Sequence, residues 1–202
     1  MKIVLIVEGE TERAFKPHLI TFLTEKLAGR MPAIKINSHN GHIPTGDKLK
    51  RVVERLLNDS KEPADHVIAL TDVYTGNMDF INAADAKNKM RQWVGDNNRF
   101  HPHVAQNDFE AWLLPYWEAI QELSKNKMSA PSGLPETVNH TKPPAYWVKE
   151  IFNRGNNRSY VKPRDADRIL RGKDLSIAIH KCPELKAFIN TILYVCGGTQ
   201  IS

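Results

Sequence analysis

Residues 2–12, Lys2-Ile3-Val4-Leu5-Ile6-Val7-Glu8-Gly9-Glu10-Thr11-Glu12, decide the fold. The run 2–7 is short, aliphatic and β-branched, which predicts a strand buried on both faces, as in the interior of a parallel sheet. Glu8 to Thr11 reads as a tight turn in which Gly9 lets the backbone reverse without a Cβ clash and Thr11 caps the next helix. Phe15, Leu19, Phe22, Leu23 and Leu27 then recur at helical spacing to about Ala28.

The same alternation continues outward. Ala33 to Asn37 is a second strand, Asn40 to Gly46 a loop, and Leu49, Val52, Val53, Leu56 and Leu57 mark a second helix. His66 to Thr71 is an apolar run ending at Asp72, and a polar loop, Tyr74 to Phe80, leads into a helix from about Ala83 to Val94. Phe100 to Ala105 is a fourth strand, weakened by Pro102, after which Asp108 caps a helix carrying Phe109, Ala111, Trp112, Leu113 and Tyr116. Strand and helix repeated in this way predict an α/β fold: a Rossmann-like parallel sheet of about four strands flanked by helices. The pattern changes after Leu123. Residues 124–144 read as a proline-rich loop, with one helical face on Trp147, Val148, Ile151 and Phe152 and another on Leu185, Phe188, Ile189, Ile192 and Leu193. The expected organisation is an α/β core over 1–123, with a loop and basic helical extension over 124–202 packed on the same domain as a C-terminal helical cap.

Composition excludes several classes. A chain of 202 residues, 41% apolar and 25% charged, is ordinary for a folded domain. The apolar run Ile3 to Val7 is too short to span a membrane or form a signal-peptide core, so no membrane role is expected. Cys182 and Cys196 make no disulfide framework and fit a reducing, cytoplasmic setting; with only His180 near them they form a poor zinc site. His39, His42, His101 and His103 lack an evident third ligand. Trp112, Trp117 and Trp147 read as core residues rather than base-stacking platforms. The Gly-containing stretch from Asn40 to Gly46 lacks the Walker pattern, which argues against nucleotide hydrolysis on this chain. Charge is uneven: from His140 to Asp174 nine basic residues face four acidic ones, a segment that carries the whole net charge of +5. That segment suits a phosphate backbone, and equally a solvated surface.

Ligands of open parallel sheets bind beyond the carboxyl ends of the strands. Two apolar strands end there in carboxylates, Val7 into Glu8 and Thr71 into Asp72. Side chains of that type at neighbouring strand ends can bracket one hard cation such as Mg²⁺ or Mn²⁺. Glu12 falls in the first helical turn, where it suits the helix dipole and is placed to offer a ligand for a second ion.

These residues also resemble a known family. Val7-Glu8-Gly9-Glu10-Thr11-Glu12 is similar to the first motif of the TOPRIM fold, in the form found in overcoming-lysogenization-defect (OLD) nucleases. Leu70-Thr71-Asp72-Val73-Tyr74 stands where that fold has its Asp-x-Asp motif, with Tyr74 replacing the second aspartate. Gln106 to Leu114, Lys142-Pro143-Pro144, Tyr160-Val161-Lys162 and Cys182-Pro183-Glu184-Leu185 resemble successive blocks of small stand-alone TOPRIM-like bacterial proteins of uncharacterised function. The resemblance implies a metal-dependent nuclease, or the TOPRIM subunit of one, using one or two Mg or Mn ions. Its implied partners are DNA or RNA and an ABC-type ATPase encoded nearby, in a phage-defence setting. It implies Glu8 and Asp72 as primary metal ligands and catalytic residues, Glu12 and Glu110 as further ligands, and Lys162 as the catalytic cation near the phosphate. Arg154, Arg158, Lys162, Arg164 and Arg168 are the expected nucleic-acid contacts. Tyr74 cannot supply a carboxylate, leaving Asp79 or Asp108 to compensate, and a non-catalytic nucleic-acid- or ATPase-binding module stands as the alternative.

Overall fold

Strands buried on both faces need cover on both sides, and two sets of helices supply it. The computed structural model describes residues 1–39, 41–73, 80–138, 142–156 and 158–202. Strands β1 (Lys2–Val7), β2 (Ala33–Ser38), β3 (His66–Val73) and β4 (Phe100–Gln106) form one parallel sheet in the order β2-β1-β3-β4. The chain therefore crosses from β2 over β1 to β3, which puts β1 and β3 side by side at the centre. Pro102, paired with Ala69, is accommodated because β4 is an edge strand.

The side-chain alternation hidden in these runs becomes visible in the packing. Ile3, Leu5 and Val7 of β1 and Ile68 and Leu70 of β3 point to the face covered by α1 (Glu10–Leu27) and the C-terminal helices. Val4, Ile6, Val67, Ala69 and Val104 point to the other face, against α2 (Gly46–Leu57) and α3 (Ala83–Val94). Each fully buried Leu, Ile or Val contributes roughly 1.5–3 kcal/mol relative to exposure.

After β4 the structure differs from the single expected helix. Phe109–Trp112 and Leu114–Tyr116 are two 3-10 turns, and α4 (Trp117–Ser124) begins only then. Asp108 does not cap this segment with its side chain. The helices α5 (Pro144–Asn156), α6 (Lys162–Leu170), α7 (Ser176–Lys181) and α8 (Pro183–Val195) complete the chain. Val148, Phe152, Leu185 and Phe188 join the same core as Leu19 and Leu23 of α1. The backbone of α5 meets the end of α4 so closely that a Cβ on Gly155 would lie 1.8 Å from the Ser124 carbonyl oxygen, so this contact requires glycine. His18 and Asp167, 3.0 Å apart, tie α1 to α6. Among the described residues no helix is long and apolar enough to cross a membrane.

Candidate functional site

Glu8 leaves β1 at its carboxyl end and is held against β3. Its Oε1 accepts the Asp72 backbone N–H at 2.9 Å and the Thr71 hydroxyl. Asp72 and Val73 continue β3 rather than follow it, with Asp72 paired to Ala105, so Asp72 is carried by a strand interior and not by a loop. Glu12 sits in the first turn of α1, where its Oε2 accepts the Gly9 N–H at 3.1 Å and satisfies a donor that the helix start leaves open. Gly9 itself is extended and a Cβ there would meet nothing within 4 Å, so its backbone conformation does not demand glycine. What its missing side chain leaves is open space beside the carboxylates.

Three carboxylates, each only 7% exposed, thus share one sheet edge. Burial raises the pKa of Glu8 and of Glu12, with the Glu8 charge adding to the effect at Glu12. Asp72 lies well above the ordinary carboxylate range, first through burial and then through repulsion from Glu8, Glu12, Glu110 and Asp108.

A turn after β4 brings the last two acids in. Asn107 has φ +68°, a left-handed conformation that asparagine tolerates better than most residues. Its backbone N–H donates to the Val73 carbonyl at 2.9 Å and its side-chain amide to the Glu136 carbonyl at 3.2 Å. The chain is thereby folded back, and Asp108 and Glu110 are buried at 1% and 0% exposure. Asp108 Oδ2 accepts the Ala145 N–H at 3.0 Å, anchoring the first turn of α5. Burial and the neighbouring Glu110 push Asp108 up to about 7. Lys162, at the start of α6, donates from Nζ to Glu110 Oε2 at 3.3 Å. Burial alone would lower its pKa, but Glu110, Asp72 and Asp108 outweigh that and raise it, so the amine stays cationic. Glu110 Oε1 and Asp108 Oδ1 are buried without a hydrogen-bond partner among the described residues. A cleft of about 410 Å³ runs along edge strand β2 beside Lys2, Lys35 and Asn37, whereas the cleft over the acids measures about 360 Å³ and is lined by Glu8, Gly9, Glu12, Asp72, Phe109 and Lys162.

The structure therefore brings Glu8, Glu12, Asp72, Glu110 and Lys162 to one place, together with Asp108. It does not treat the expected nucleic-acid contacts alike. Asp165, fully buried, accepts from Arg158 at 2.7 and 3.2 Å, from Arg164 at 3.1 and 3.3 Å, and from the Val161 N–H at 2.8 Å. Arg158 also lies 4.5 Å from the Phe152 ring. Arg154 pairs with Glu150 along α5, and Arg168 is exposed on α6. His101 faces His66 at 3.1 Å and His103 faces Thr191 at 2.9 Å, so these two histidines have separate partners. Tyr74 and Asp79 lie outside the described residues.

Thr71, Asn107, Asp165 and Tyr160 are contributions that the sequence did not single out. Tyr160 is buried, and its phenol is pushed up by burial and then by the charges of Glu110 and Asp165. The Tyr160-Val161-Lys162 block named it without giving it a role.

Among the described residues, no three His, Cys, Asp or Glu side chains are gathered in a way that could hold a metal ion as they stand. The donor chemistry nonetheless suits a hard divalent cation: the acids are oxygen donors, repel one another, and include two buried oxygens without a partner.

The sequence matches the model of "Domain of unknown function (DUF4276)" over residues 7–193. No curated protein matches it. Among solved structures, the C-terminal region of the Burkholderia pseudomallei OLD protein superposes with a TM-score of 0.54 at 15% identity, covering 96% of each chain. The C-terminal region of the Xanthomonas campestris pv. campestris OLD protein, phased with iodine, gives 0.51 at 15% identity, covering 96% of this chain and 95% of that one. At such identities the likeness establishes the fold: a TOPRIM-like α/β sheet flanked by helices.

Proposed function

The chain belongs to the DUF4276 family, and on that premise we propose that it is a Mg- or Mn-dependent phosphodiester hydrolase acting on nucleic acid. The observation that carries this reading is the convergence of Glu8, Glu12, Asp72 and the cationic Lys162 on one cleft, with the buried Glu110 behind Lys162. Glu8 and Asp72 would hold the first ion, and Glu12 and Glu110 a second. When bound, such an ion supplies Lewis acidity toward a phosphoryl oxygen and lowers the pKa of water.

The chain's own residues have separable tasks. Thr71 and the Asp72 N–H orient the Glu8 carboxylate by holding one of its oxygens. Lys162, kept protonated by its acidic neighbours, neutralises charge that develops on the phosphate and does not act as a base. Asp108 ties the C-terminal helices to the cleft through Ala145. The paired Arg158 and Arg164 stiffen the approach to α6, and of the five expected nucleic-acid contacts Lys162 is the one seen paired with these acids among the described residues. These residues contain no Walker loop, so an ATP-driven step would be supplied by an ABC-type ATPase, and a role in phage defence rests on the same family resemblance.

The test is incubation of the purified protein with plasmid, single-stranded DNA and tRNA in Mn²⁺ or Mg²⁺, alone and with the ATPase encoded beside it. Cleavage that disappears in Asp72→Asn is the expected result. Absence of cleavage under every condition would overturn the reading. A non-catalytic binding module is the second reading, supported by the lack of a preformed metal-holding group among the described residues. Calorimetric titration with Mn²⁺ separates the two: saturable binding lost in Glu8→Gln favours the hydrolase, and no binding favours the module.

A further inference from the structure

We propose that Lys142, Tyr146 and Trp147 form a ledge on which a base of single-stranded nucleic acid stacks beside the carboxylate cleft. This rests on the reading of the cleft as a nucleic-acid site.

The ledge is fixed to the cleft by the backbone. Asp108 holds the Ala145 N–H at 3.0 Å, so the first turn of α5 is pinned to one of the acids. Tyr146 and Trp147 are the next two residues. Lys142 precedes the turn across Pro143 and Pro144, whose restricted backbones hold it close to α5 at little entropic cost. The Lys142 ammonium lies 5.3 Å from the Tyr146 ring centroid and 5.8 Å from that of Trp147. The two rings meet edge to face, with centroids 5.6 Å apart and planes at 87°.

Two observations set these rings apart from the core aromatics. Tyr146 is 38% exposed, whereas Phe109 and Trp112 are 1% exposed. The Trp147 indole N–H is buried without an acceptor among the described residues, while the Trp112 indole donates to Glu136 at 3.0 Å and the Trp117 indole to the Met128 carbonyl at 2.8 Å. Tyr146, exposed and with the Lys142 ammonium over its ring, combines a π-face with a positive charge, and a nucleotide offers the complement of both: a flat base and a negative phosphate. Lys149, exposed and three residues beyond Tyr146, adds charge on the same side of α5. A paired duplex hides its base faces in the stack, which is why the fitting ligand is single-stranded. Trp147 packs against the core as expected, so the exposed ring of the ledge is that of Tyr146.

Binding can be measured with the full-length protein in EDTA, where no cleavage occurs, by anisotropy of labelled oligonucleotides of about ten nucleotides, within the range of known single-strand sites. One strand is oligothymidylate and the other is an abasic strand of equal length. The wild type is expected to prefer the base-containing strand by at least about fivefold, from the worth of one stacked base. Tyr146→Ala should erase that preference with an unchanged thermal melt, and Tyr146→Phe should keep it. Equal binding of the two strands, a preference that survives Tyr146→Ala, or no binding to either strand overturns the ledge. A parallel cleavage assay in Mn²⁺ separates the claims. Cleavage without base preference leaves the hydrolase and removes the ledge, whereas base preference without cleavage does the reverse.

Discussion

The Lys162 ammonium donates to Glu110 Oε2 at 3.3 Å, joining the start of α6 to a carboxylate with no solvent exposure 52 residues earlier in the chain. The contact does two things. It compensates a charge that the protein interior would otherwise penalise, and it places a cation over the acids of β1 and β3. Lys162→Met is therefore expected to destabilise the fold by about 1–3 kcal/mol, the cost of leaving a charged hydrogen-bond partner unmet. Adding Glu110→Gln should recover part of that loss. A denaturation double-mutant cycle gives the coupling, and additive losses would show that the two groups do not interact.

Acid pairs without a bound cation also set the pH response. A carboxyl whose pKa is raised on folding binds more protons in the native than in the unfolded state. Its contribution is therefore present below the unfolded value and lost as pH rises through the folded one. For Asp108 the window runs from the ordinary value of 3.8 to about 7, and Asp72 is displaced in the same direction. The metal-free protein should melt at a lower temperature at pH 8 than at pH 5.5, and Asp108→Asn should flatten that slope. Melting curves across this range, at constant ionic strength, check both statements.

The same repulsion makes a test for the ion that does not depend on catalysis. A ligand that binds only the native state stabilises it in proportion to the logarithm of its concentration over Kd. At pH 8, Mn²⁺ should raise the melting temperature, and at pH 5.5, with more of the acids protonated, it should raise it less. Asp72→Asn should abolish the shift. An Mn²⁺ shift of the same size in Asp72→Asn would place the ion elsewhere.

What was legible in the sequence divides along physical lines. The strands declared themselves because double burial demands short aliphatic runs such as Ile3 to Val7 and Val67 to Leu70, and α1 declared itself through Phe15, Leu19 and Leu23. The fold class followed from their alternation with helices. Double burial also hid where β3 ends, since a run apolar on both faces shows no alternation, and so Asp72 read as a strand terminus when it lies inside the strand. The anchoring of α5 by Asp108 spans 37 residues, and local capping rules favoured the nearer helix start instead. Counting charges likewise located a basic segment but not its internal pairing, in which the single buried Asp165 engages both Arg158 and Arg164. Glu8, Glu12 and Asp72 were visible from strand ends and helix spacing, while Glu110 and Lys162 came only through the resemblance.

Asp165 should consequently matter to stability more than the arginines it holds. Its burial is complete, and three donors converge on it. Asp165→Ala leaves the Val161 N–H and two guanidinium groups to find water or new partners, with an expected loss of about 3–5 kcal/mol, the range for breaking a buried pair from one side. Both arginines are partly exposed and can rehydrate, so the low end of that range is the better expectation. Arg164→Ala should cost less than Asp165→Ala, because Arg158 and the Val161 N–H remain. Urea denaturation of the three proteins ranks them, and an Arg164→Ala loss equal to that of Asp165→Ala would refute the assignment.

Asn107 gives the sharpest test of how the second pair of acids is delivered. Its left-handed backbone turns the chain from β4 toward Asp108 and Glu110. Asn107→Gly should keep the turn at the loss of the amide contact to the Glu136 carbonyl, while Asn107→Val should strain it, since a β-branched residue is poorly suited to φ +68°. The strain is expected at about 1–3 kcal/mol beyond the glycine variant. If the turn sets the position of Glu110, Asn107→Val should also weaken the Mn²⁺-dependent melting shift, and Asn107→Gly should largely preserve it. Equal Mn²⁺ shifts in both variants would mean that the core around Phe109 and Trp112, rather than the turn, holds the acids in place.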